Sequence, residues 1–432
     1  MNLKIVNINS LREKEQEKIF RRSSSEKSVE ISKTVERIIK EVRLDGDQAL
    51  LRHSRQFDCP GLDSITISKD EKEALIKSLD HQIKDALDNS LSRIRLHHQQ
   101  QIENGGQSEW EVEIEPGVIS GERRLPLDNI TLYVPSGKGS FPSVAMMLAV
   151  PATLAGVKQI TVCTPASEFG PDPATLYVLQ QLGIKDVYLI GGASAIAAVA
   201  FGTETVPKSS KIVGPGNRFV VEAKRQLAHL IDVGPQAGPS EAVIIADAEA
   251  DPITVCKELL VEAEHGPDST VLLLTDSQQL ANQVSSKIGY FVDQLPELRK
   301  GFIKQVFQKE SVIVFQDIQQ AVDFSNRFAP EHLRMITEKD YYDQITNAGE
   351  VIIGTGSSIS LANYTVGVNA VLPTSGFARS VSCLGINDFS KRNSVIRVTA
   401  SGARKMAKDA SLLAGYEGFP AHKAAADDLS DQ

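Results

Sequence analysis

From about residue 130 the chain alternates short runs of β-branched residues with stretches of small residues, and this alternation constrains the fold most strongly. The first series of predicted strands is Ile130–Val134, Ile160–Thr164, Val187–Ile190 and Lys211–Val213, with helices at Ser143–Val157, Pro173–Leu182 and Ala193–Phe201. The second series is Ala242–Ala246, Val271–Thr275, Val312–Phe315, Arg334–Ile336 and Val351–Ile353, with helices at Ile253–Glu264 and Ser277–Gln294. We therefore expect an α/β protein with two consecutive Rossmann-like parallel-sheet domains, at 129–236 and 237–375.

The two flanking segments follow a different pattern. Residues 1–128 are predicted to form an N-terminal helical, charged unit, because Leu, Ile and Val recur every three or four residues in Ser28–Val42 and Glu71–Leu91. We interpret the charges between them as a solvated face. Residues 376–432 are predicted to form a C-terminal helical arm, with one helix at Val398–Gly415 and then a polar end.

Charge and cysteine usage narrow the classes of function. The chain carries 46 Lys and Arg against 55 Asp and Glu, a formal charge of −9, so we expect neither nucleic acid nor a membrane as a partner. We see no secretory signal and no apolar run of the length that a membrane span requires. The four cysteines are far apart in sequence, which is typical of reduced thiols. We expect a soluble cytoplasmic protein.

Two short motifs carry groups suited to chemistry. Glu262 and His265 are three residues apart at the end of a predicted helix, so they could bind one divalent ion; a capped helix end is the alternative. Glu331 and His332 follow a proline and would place two proton acceptors side by side. The alternative there is an ordinary first turn of a helix with proline near its start.

Weaker signals lie elsewhere in the chain. His422 could be a late ligand that a C-terminal arm supplies, although a lone histidine near a chain end is usually a surface residue. Gly191-Gly192 and Gly214-Pro215-Gly216-Asn217 each follow a predicted strand and could present backbone N–H groups to a phosphate. Neither run is a GxGxxG, and a tight turn that needs glycine explains each equally well.

Together these pieces resemble the histidinol dehydrogenase family over nearly the whole chain. The matching landmarks, in order, are Leu132-Tyr133-Val134-Pro135, Gly191–Ala197, Gly214–Asn217, Glu222–Gln226, Ala237–Glu241, Glu264-His265, Ala329–Leu333, Asn369–Thr374, Lys391-Arg392 and Glu417-Gly418 with Ala421–Lys423. So many matches in a fixed order are far more specific than any single motif.

The resemblance implies a zinc-dependent, four-electron oxidation of L-histidinol through the aldehyde to L-histidine, with two NAD. It also implies a homodimer with an exchanged C-terminal arm, so that each active site takes groups from both chains. By position, His332 resembles the base that accepts the alcohol proton, and Glu331 the base that activates water. The implied zinc ligands are Glu262, His265, Asn363 and, from the arm, His422; these four and His332 also contact substrate, together with Ser240 and Glu417. Tyr133, Ser194 and Asn217 match the NAD site.

Four positions depart from the family pattern. Glu262 stands where the family usually has Gln, and Asn363 where it has Asp, so the anionic ligand exchanges position while the formal charge of the ligand set stays the same. We therefore expect a retained zinc site with relocated charge. Ala370 replaces a usual His near the cleft, and Ser194 replaces a usual Gln at the NAD match, which would weaken cofactor binding.

These departures leave three functions in view. The first is histidinol dehydrogenase activity itself. The second is a paralogous dehydrogenase with the same chemistry on a different polar alcohol, since Ala370 and the relocated carboxylate would reshape the pocket. The third is a catalytically silent relative that binds zinc or a ligand, and the intact Glu331-His332 pair argues against it.

Overall fold

The computed structural model describes residues 1–20, 22, 29–105, 108–136, 139–168, 170–235 and 237–431. Residue 236, where the first α/β domain was predicted to end, lies outside these ranges. The strands are β1 (Lys4–Asn7), β2 (Glu109–Glu115), β3 (Val118–Pro126), β4 (Asn129–Tyr133), β5 (Gln159–Cys163), β6 (Asp186–Tyr188), β7 (Lys211–Val213), β8 (Glu241–Ala246), β9 (Thr270–Thr275), β10 (Glu310–Val314), β11 (His332–Ile336), β12 (Glu350–Ile352) and β13 (Ser390–Val398).

The α-helices cover most of the remaining chain. They are α1 (Glu13–Phe20), α2 (Val29–Phe57), α3 (Lys69–Ser78), α4 (His81–Asn104), α5 (Pro142–Leu154), α6 (Pro173–Gln181), α7 (Gly192–Phe201), α8 (Arg218–Leu227), α9 (Pro252–Ala263), α10 (Gln278–Val292), α11 (Glu297–Val306), α12 (Ile318–Phe328), α13 (Ile359–Tyr364), α14 (Ala400–Tyr416) and α15 (Pro420–Asp431). Among the described residues, none of these helices has both the length and the apolar character needed to cross a bilayer.

The larger sheet has six parallel strands in the order β1-β10-β9-β8-β11-β12. Strand β8, one of the two at its centre, is buried along its whole length because both faces are covered. Ala242 and Ile244 pack with α9 and α10 on one face, whereas Val243 and Ile245 pack with α12 on the other. This alternation is the period of two that a strand imposes on its side chains.

The smaller sheet has four parallel strands in the order β6-β5-β4-β7. Ile130 and Leu132 of β4 pack with α5 and α6, and Tyr133 packs on the opposite side with α7 and α8. The N-terminal helix α2 also packs against α7 and α8, so the charged N-terminal segment covers this sheet. The predicted α/β class with two consecutive parallel-sheet units is confirmed.

The flanking segments contain strands that the sequence patterns did not predict. β1 joins the edge of the larger sheet beside β10, and β2, β3 and β13 form a separate antiparallel sheet. The N-terminal unit at 1–128 is therefore not purely helical, and the arm at 376–432 contains a strand before its α-helices. Helix α15 occupies the region where only a polar end was predicted. β1 and β13 pair with strands about 260 to 310 residues away, which local periodicity does not report, whereas β2 and β3 form a local hairpin. The domain boundaries themselves remain predictions.

Candidate active site

The two sequence motifs meet at the amino-terminal edge of the larger sheet. Glu241, His332 and Glu350 are the first residues of the adjacent strands β8, β11 and β12. Helix α9 follows β8 and returns along the sheet, so its carboxyl end brings Glu262 and His265 back to the same edge. A parallel sheet thus gathers groups that are far apart in sequence.

The Glu331-His332 pair lies at a junction between a helix and a strand. Helix α12 ends at Ala329, which adopts a left-handed conformation with φ of 53°, and Pro330 cannot continue the helix. Strand β11 then begins at His332, so the alternative of a first helical turn is wrong. Glu331 is buried, and its Oε2 accepts a hydrogen bond of 2.8 Å from the backbone N–H of Glu241.

Glu262 is the centre of the cluster and is fully buried. Its Oε1 accepts a hydrogen bond of 2.9 Å from Nδ2 of Asn363, a residue of α13, and lies 3.8 Å from Nε2 of His332. Its Oε2 lies 2.7 Å from Nδ1 of His265. Burial disfavours the ionised carboxylate, but the imidazoles of His332 and His265 outweigh burial and lower the pKa of Glu262 to about 2.

The two predicted proton acceptors have shifted pKa values as well. Burial tends to lower the pKa of His332, but the carboxylates of Glu262, Glu331 and Glu350 outweigh it and raise this pKa to about 10. Burial raises the pKa of Glu331 well above the ordinary carboxyl value, although His332 opposes this shift. A carboxylate with a raised pKa is a stronger base and is better suited to take a proton from water.

Part of the implied zinc ligand set comes together within one chain. Glu262, His265 and Asn363 bring a carboxylate, an imidazole and an amide to one place, and zinc accepts nitrogen and oxygen donors. Oε2 of Glu262 is buried and has no hydrogen-bond partner among the described atoms, although it lies close to the imidazole of His265. A cation would satisfy this oxygen, so these residues fit the metal. Within the described part of the chain, no three His, Cys, Asp or Glu side chains form a metal-binding group.

The fourth implied ligand lies elsewhere. His422 is exposed on α15, and its described contact is with the ring of Phe419 in the same arm. Glu417, implied to contact substrate, is also exposed, just after α14. Within one chain, nothing described connects either residue to the cluster. Ser240, in contrast, lies at the cluster, with its Oγ 2.9 Å from Nδ1 of His265.

The residues that match the NAD site gather at the carboxyl edge of the smaller sheet. Tyr133 ends β4, and its hydroxyl accepts a hydrogen bond of 3.1 Å from the N–H of Gly192. Asn217 follows β7 and caps α8 through its side-chain oxygen. Ser194, in the first turn of α7, has its hydroxyl 2.9 Å from Nδ1 of His53. A crevice outside the carboxyl ends of parallel strands is where such sheets bind nucleotides.

Sequence reasoning missed two carboxylates of the site. Oε1 of Glu350 lies 2.6 Å from Nδ1 of His332. Oε1 of Glu241 lies 2.6 Å from Nε of the buried Arg22, and burial raises the pKa of Glu241 to about 7 despite that partner. Only strand pairing places Glu350 beside His332, so no local motif could have found it. Ala370 packs beside Met147 and the core of the smaller sheet.

Comparison with known proteins gives a consistent result. The histidinol dehydrogenase family model matches residues 21–428. A histidinol dehydrogenase from Synechocystis sp. is 41% identical over 391 residues, which is 89% of each chain. A histidinol dehydrogenase homolog from Colwellia psychrerythraea is 40% identical and covers 100% of this chain and 97% of that protein.

A solved structure agrees over the whole fold. The crystal structure of histidinol dehydrogenase from Elizabethkingia anophelis matches with a TM-score of 0.91 at 34% identity, covering 99% of this chain and 98% of that one. The match therefore includes both parallel sheets and the C-terminal arm. The chain belongs to the histidinol dehydrogenase family, a family of oxidoreductases.

Proposed function

We propose that this protein is an NAD- and zinc-dependent dehydrogenase that oxidises L-histidinol via L-histidinaldehyde to L-histidine, in the cytoplasm and in histidine biosynthesis. The observation that supports this most is the buried Glu331-His332 pair beside Glu262. Nε2 of His332 lies 3.8 Å from an oxygen of each of these two carboxylates. Two different proton acceptors at one site are what two successive oxidations require.

The roles follow from the chemistry of each oxidation. In its neutral form His332 accepts the alcohol proton through Nε2, which allows hydride to leave the carbon. Zinc held at Glu262 would offset the carboxylate charge that does most to raise the pKa of His332, and so would favour this neutral form. Glu331 then takes a proton from water, because an aldehyde must be hydrated before it can lose a second hydride. When bound, NAD would accept the hydrides, and zinc would anchor the polar groups of the substrate and offset the negative charge of Glu262.

Binding groups surround this pair. Glu262, His265 and Asn363 would hold the zinc, and Ser240 would contact the substrate beside His265. Tyr133, Ser194 and Asn217 would line the NAD site. The hydroxyl of Ser194 already contacts His53, so we expect it to replace only part of what a longer Gln would offer to the cofactor.

We propose that the site is completed in a homodimer. The arm carries His422 and Glu417, the groups still missing from the cluster, and both are exposed. It also exposes large apolar side chains, with Tyr416 92% exposed. The others at its end are Leu412, Leu413 and Phe419. A second copy of the chain, exchanging arms, would cover these side chains and deliver both polar groups.

The alternative substrate is favoured by one observation. Nδ2 of Asn363 donates to Oε1 of Glu262, so the negative charge of this pair is on residue 262, whereas the family usually has it on residue 363. A pocket with this relocated charge could accept another polar alcohol in the same reaction.

The test is NADH formation by zinc-loaded protein with L-histidinol and a panel of polar alcohols. Formation of two NADH per L-histidinol supports the proposal. Formation of two NADH per molecule of another alcohol, with none from L-histidinol, supports the paralogous dehydrogenase. Bound zinc without turnover of any alcohol would favour a catalytically silent relative.

A further inference from the structure

Glu350 is a carboxylate that the roles described so far do not use. It begins β12, the last strand of the larger sheet, and its side chain is only 11% exposed. In the pairing of β11 with β12 it lies directly opposite His332. Its Oε1 is 2.6 Å from Nδ1 of His332, which is the length of a strong charge-assisted hydrogen bond.

Packing does not explain a carboxylate at this position. An ionised side chain is costly to bury unless a partner compensates it. Among the described contacts, the side chain of Glu350 has its only hydrogen bond and its only ion pair with His332. β12 is an edge strand, where a polar side chain could have faced solvent at little cost. The side chain is instead directed at one imidazole.

The contact decides which nitrogen of His332 faces the cleft. A carboxylate can only accept a hydrogen bond, so Nδ1 carries the proton that it donates to Glu350. Nε2 is then the nitrogen 3.8 Å from Oε1 of Glu262 and 3.8 Å from Oε1 of Glu331. Those distances exceed a hydrogen bond, so neither of these carboxylates fixes the ring.

The backbone of the same strand holds the other member of the pair. The N–H of Glu350 donates to the carbonyl of Glu331 at 3.0 Å, and the N–H of Gly349 donates to Pro330 at 2.9 Å. One residue thus fixes the main chain of Glu331 and the ring of His332. We propose that Glu350 is the positioning residue of His332: its carboxylate holds Nδ1–H and so presents Nε2 to the alcohol.

This inference rests on the proposed function for its kinetic consequence, and its structural core can be tested without turnover. The proton on Nδ1 of His332 should give a far-downfield NMR resonance that exchanges slowly, because it is buried in a short hydrogen bond. His332→Asn assigns the resonance. His53 and Glu41 form a second contact of 2.6 Å in this chain, and a resonance from that pair serves as the internal control.

The test compares three variants with the wild type. Glu350→Ala removes the acceptor, and Glu350→Gln keeps the shape and an acceptor oxygen but removes the charge. Glu338→Gln neutralises an exposed carboxylate just beyond β11 and is the matched control. We expect Glu350→Ala to abolish the His332 resonance and to lower kcat for alcohol oxidation about ten- to hundred-fold, as loss of a group that orients an active imidazole does, with KM little changed. The kcat of Glu350→Gln should lie between that of Glu350→Ala and that of the wild type.

Each outcome decides the matter. A resonance that persists in Glu350→Ala, or a kcat equal to that of Glu338→Gln, overturns the inference. A rise in KM with unchanged kcat also overturns it, because Glu350 would then bind substrate. If Glu350→Ala does not fold, the His332 resonance and the kcat of Glu350→Gln test the inference instead. If the wild type oxidises no alcohol, the proposed function fails, and the resonance alone decides the role of Glu350.

Discussion

Among single residues, the neighbours Glu331 and His332 have different proposed proton transfers. His332 and Glu331 are adjacent in sequence, and each side chain has a different fixed partner: Glu350 for His332 and the N–H of Glu241 for Glu331. Groups that are held separately can act in separate steps. Each role can therefore be removed by itself.

We expect His332→Asn to slow alcohol oxidation by about a hundred-fold or more, because it removes the general base. Glu331→Gln should leave alcohol oxidation largely intact and slow aldehyde oxidation by a similar factor, so NADH per alcohol falls from two towards one and aldehyde accumulates. Rates measured separately with alcohol and with aldehyde check both variants. His81→Asn, at an exposed histidine, is the control. Equal losses of both half-reactions in Glu331→Gln would refute the division of roles.

The exchanged charge between positions 262 and 363 gives a second prediction. Asn363→Asp adds a second anionic ligand and should tighten zinc binding by about ten-fold or more, since ligand charge sets affinity for a cation. Glu262→Gln removes the only anionic ligand and should weaken zinc binding. The double variant has one anionic ligand again, so its zinc affinity should return towards that of the wild type. Zinc titration measures all three, and an Asn363→Asp variant with unchanged affinity and turnover argues against the charge exchange.

The residues of the candidate site also differ in how far they could be predicted from the sequence. Glu262 and His265 are close enough for their spacing to suggest a site. Asn363 lies 101 residues from Glu262 and has no local signal, so only the family resemblance placed it. Glu350 was missed because its partnership with His332 depends on strand register. Chemistry that depends on pairing across a sheet is not encoded in a short stretch of chain.

At the scale of elements, the site depends on the close approach of β11 and β12. A Cβ at Gly349 would lie 2.5 Å from the carbonyl oxygen of Glu331, which is backbone and cannot move aside as a side chain would. The chain therefore needs glycine immediately before Glu350. This requirement connects packing to the positions of Glu331 and His332, the two proposed proton acceptors.

We expect Gly349→Ala to lower the free energy of unfolding by about 1–3 kcal/mol, because overpacking forces the two strands apart. It should also reduce activity by disturbing the Glu350–His332 contact. Gly301→Ala is the matched control, because a Cβ there meets nothing within 4 Å and the position lies inside α11. That control should raise stability by about 0.5–1 kcal/mol. Denaturant unfolding checks both, and equal stability of the two variants contradicts the close-approach argument.

Elements whose signal is local were predictable. The strand at 211–213 and the helix from 173 lie where the sequence places them, because Ile212 and Val213 are β-branched and a proline marks the helix start. β1 and β13 were not predicted. Each is stabilised by a distant strand, and β13 is mostly exposed and so carries no buried alternation.

In the whole molecule, each proposed active site needs residues from two chains. Glu331 belongs to the body and His422 to the arm, and within the described part of one chain they do not meet. A dimer with exchanged arms predicts complementation between variants that are each inactive.

Glu331→Gln and His422→Ala should each lose the overall oxidation to the acid. After unfolding and refolding as a mixture, the heterodimer has one site with both substitutions and one site with neither. Statistical pairing then restores about a quarter of the wild-type activity for a two-fold dimer. Refolding each variant alone is the control. Absence of any recovery, with heterodimers shown to form, would mean that each site is made by a single chain.

The central claim is that residues distant in sequence hold one cation beside the Glu331-His332 pair. The most direct test is anomalous diffraction at the zinc edge from crystals of zinc-loaded protein. We expect one peak per subunit, bonded to Glu262 and His265, with Asn363 and an arm histidine, His422, completing the ligands. A zinc ion bound away from Glu262, or no zinc in crystals of protein that oxidises alcohols, would refute the proposed zinc site.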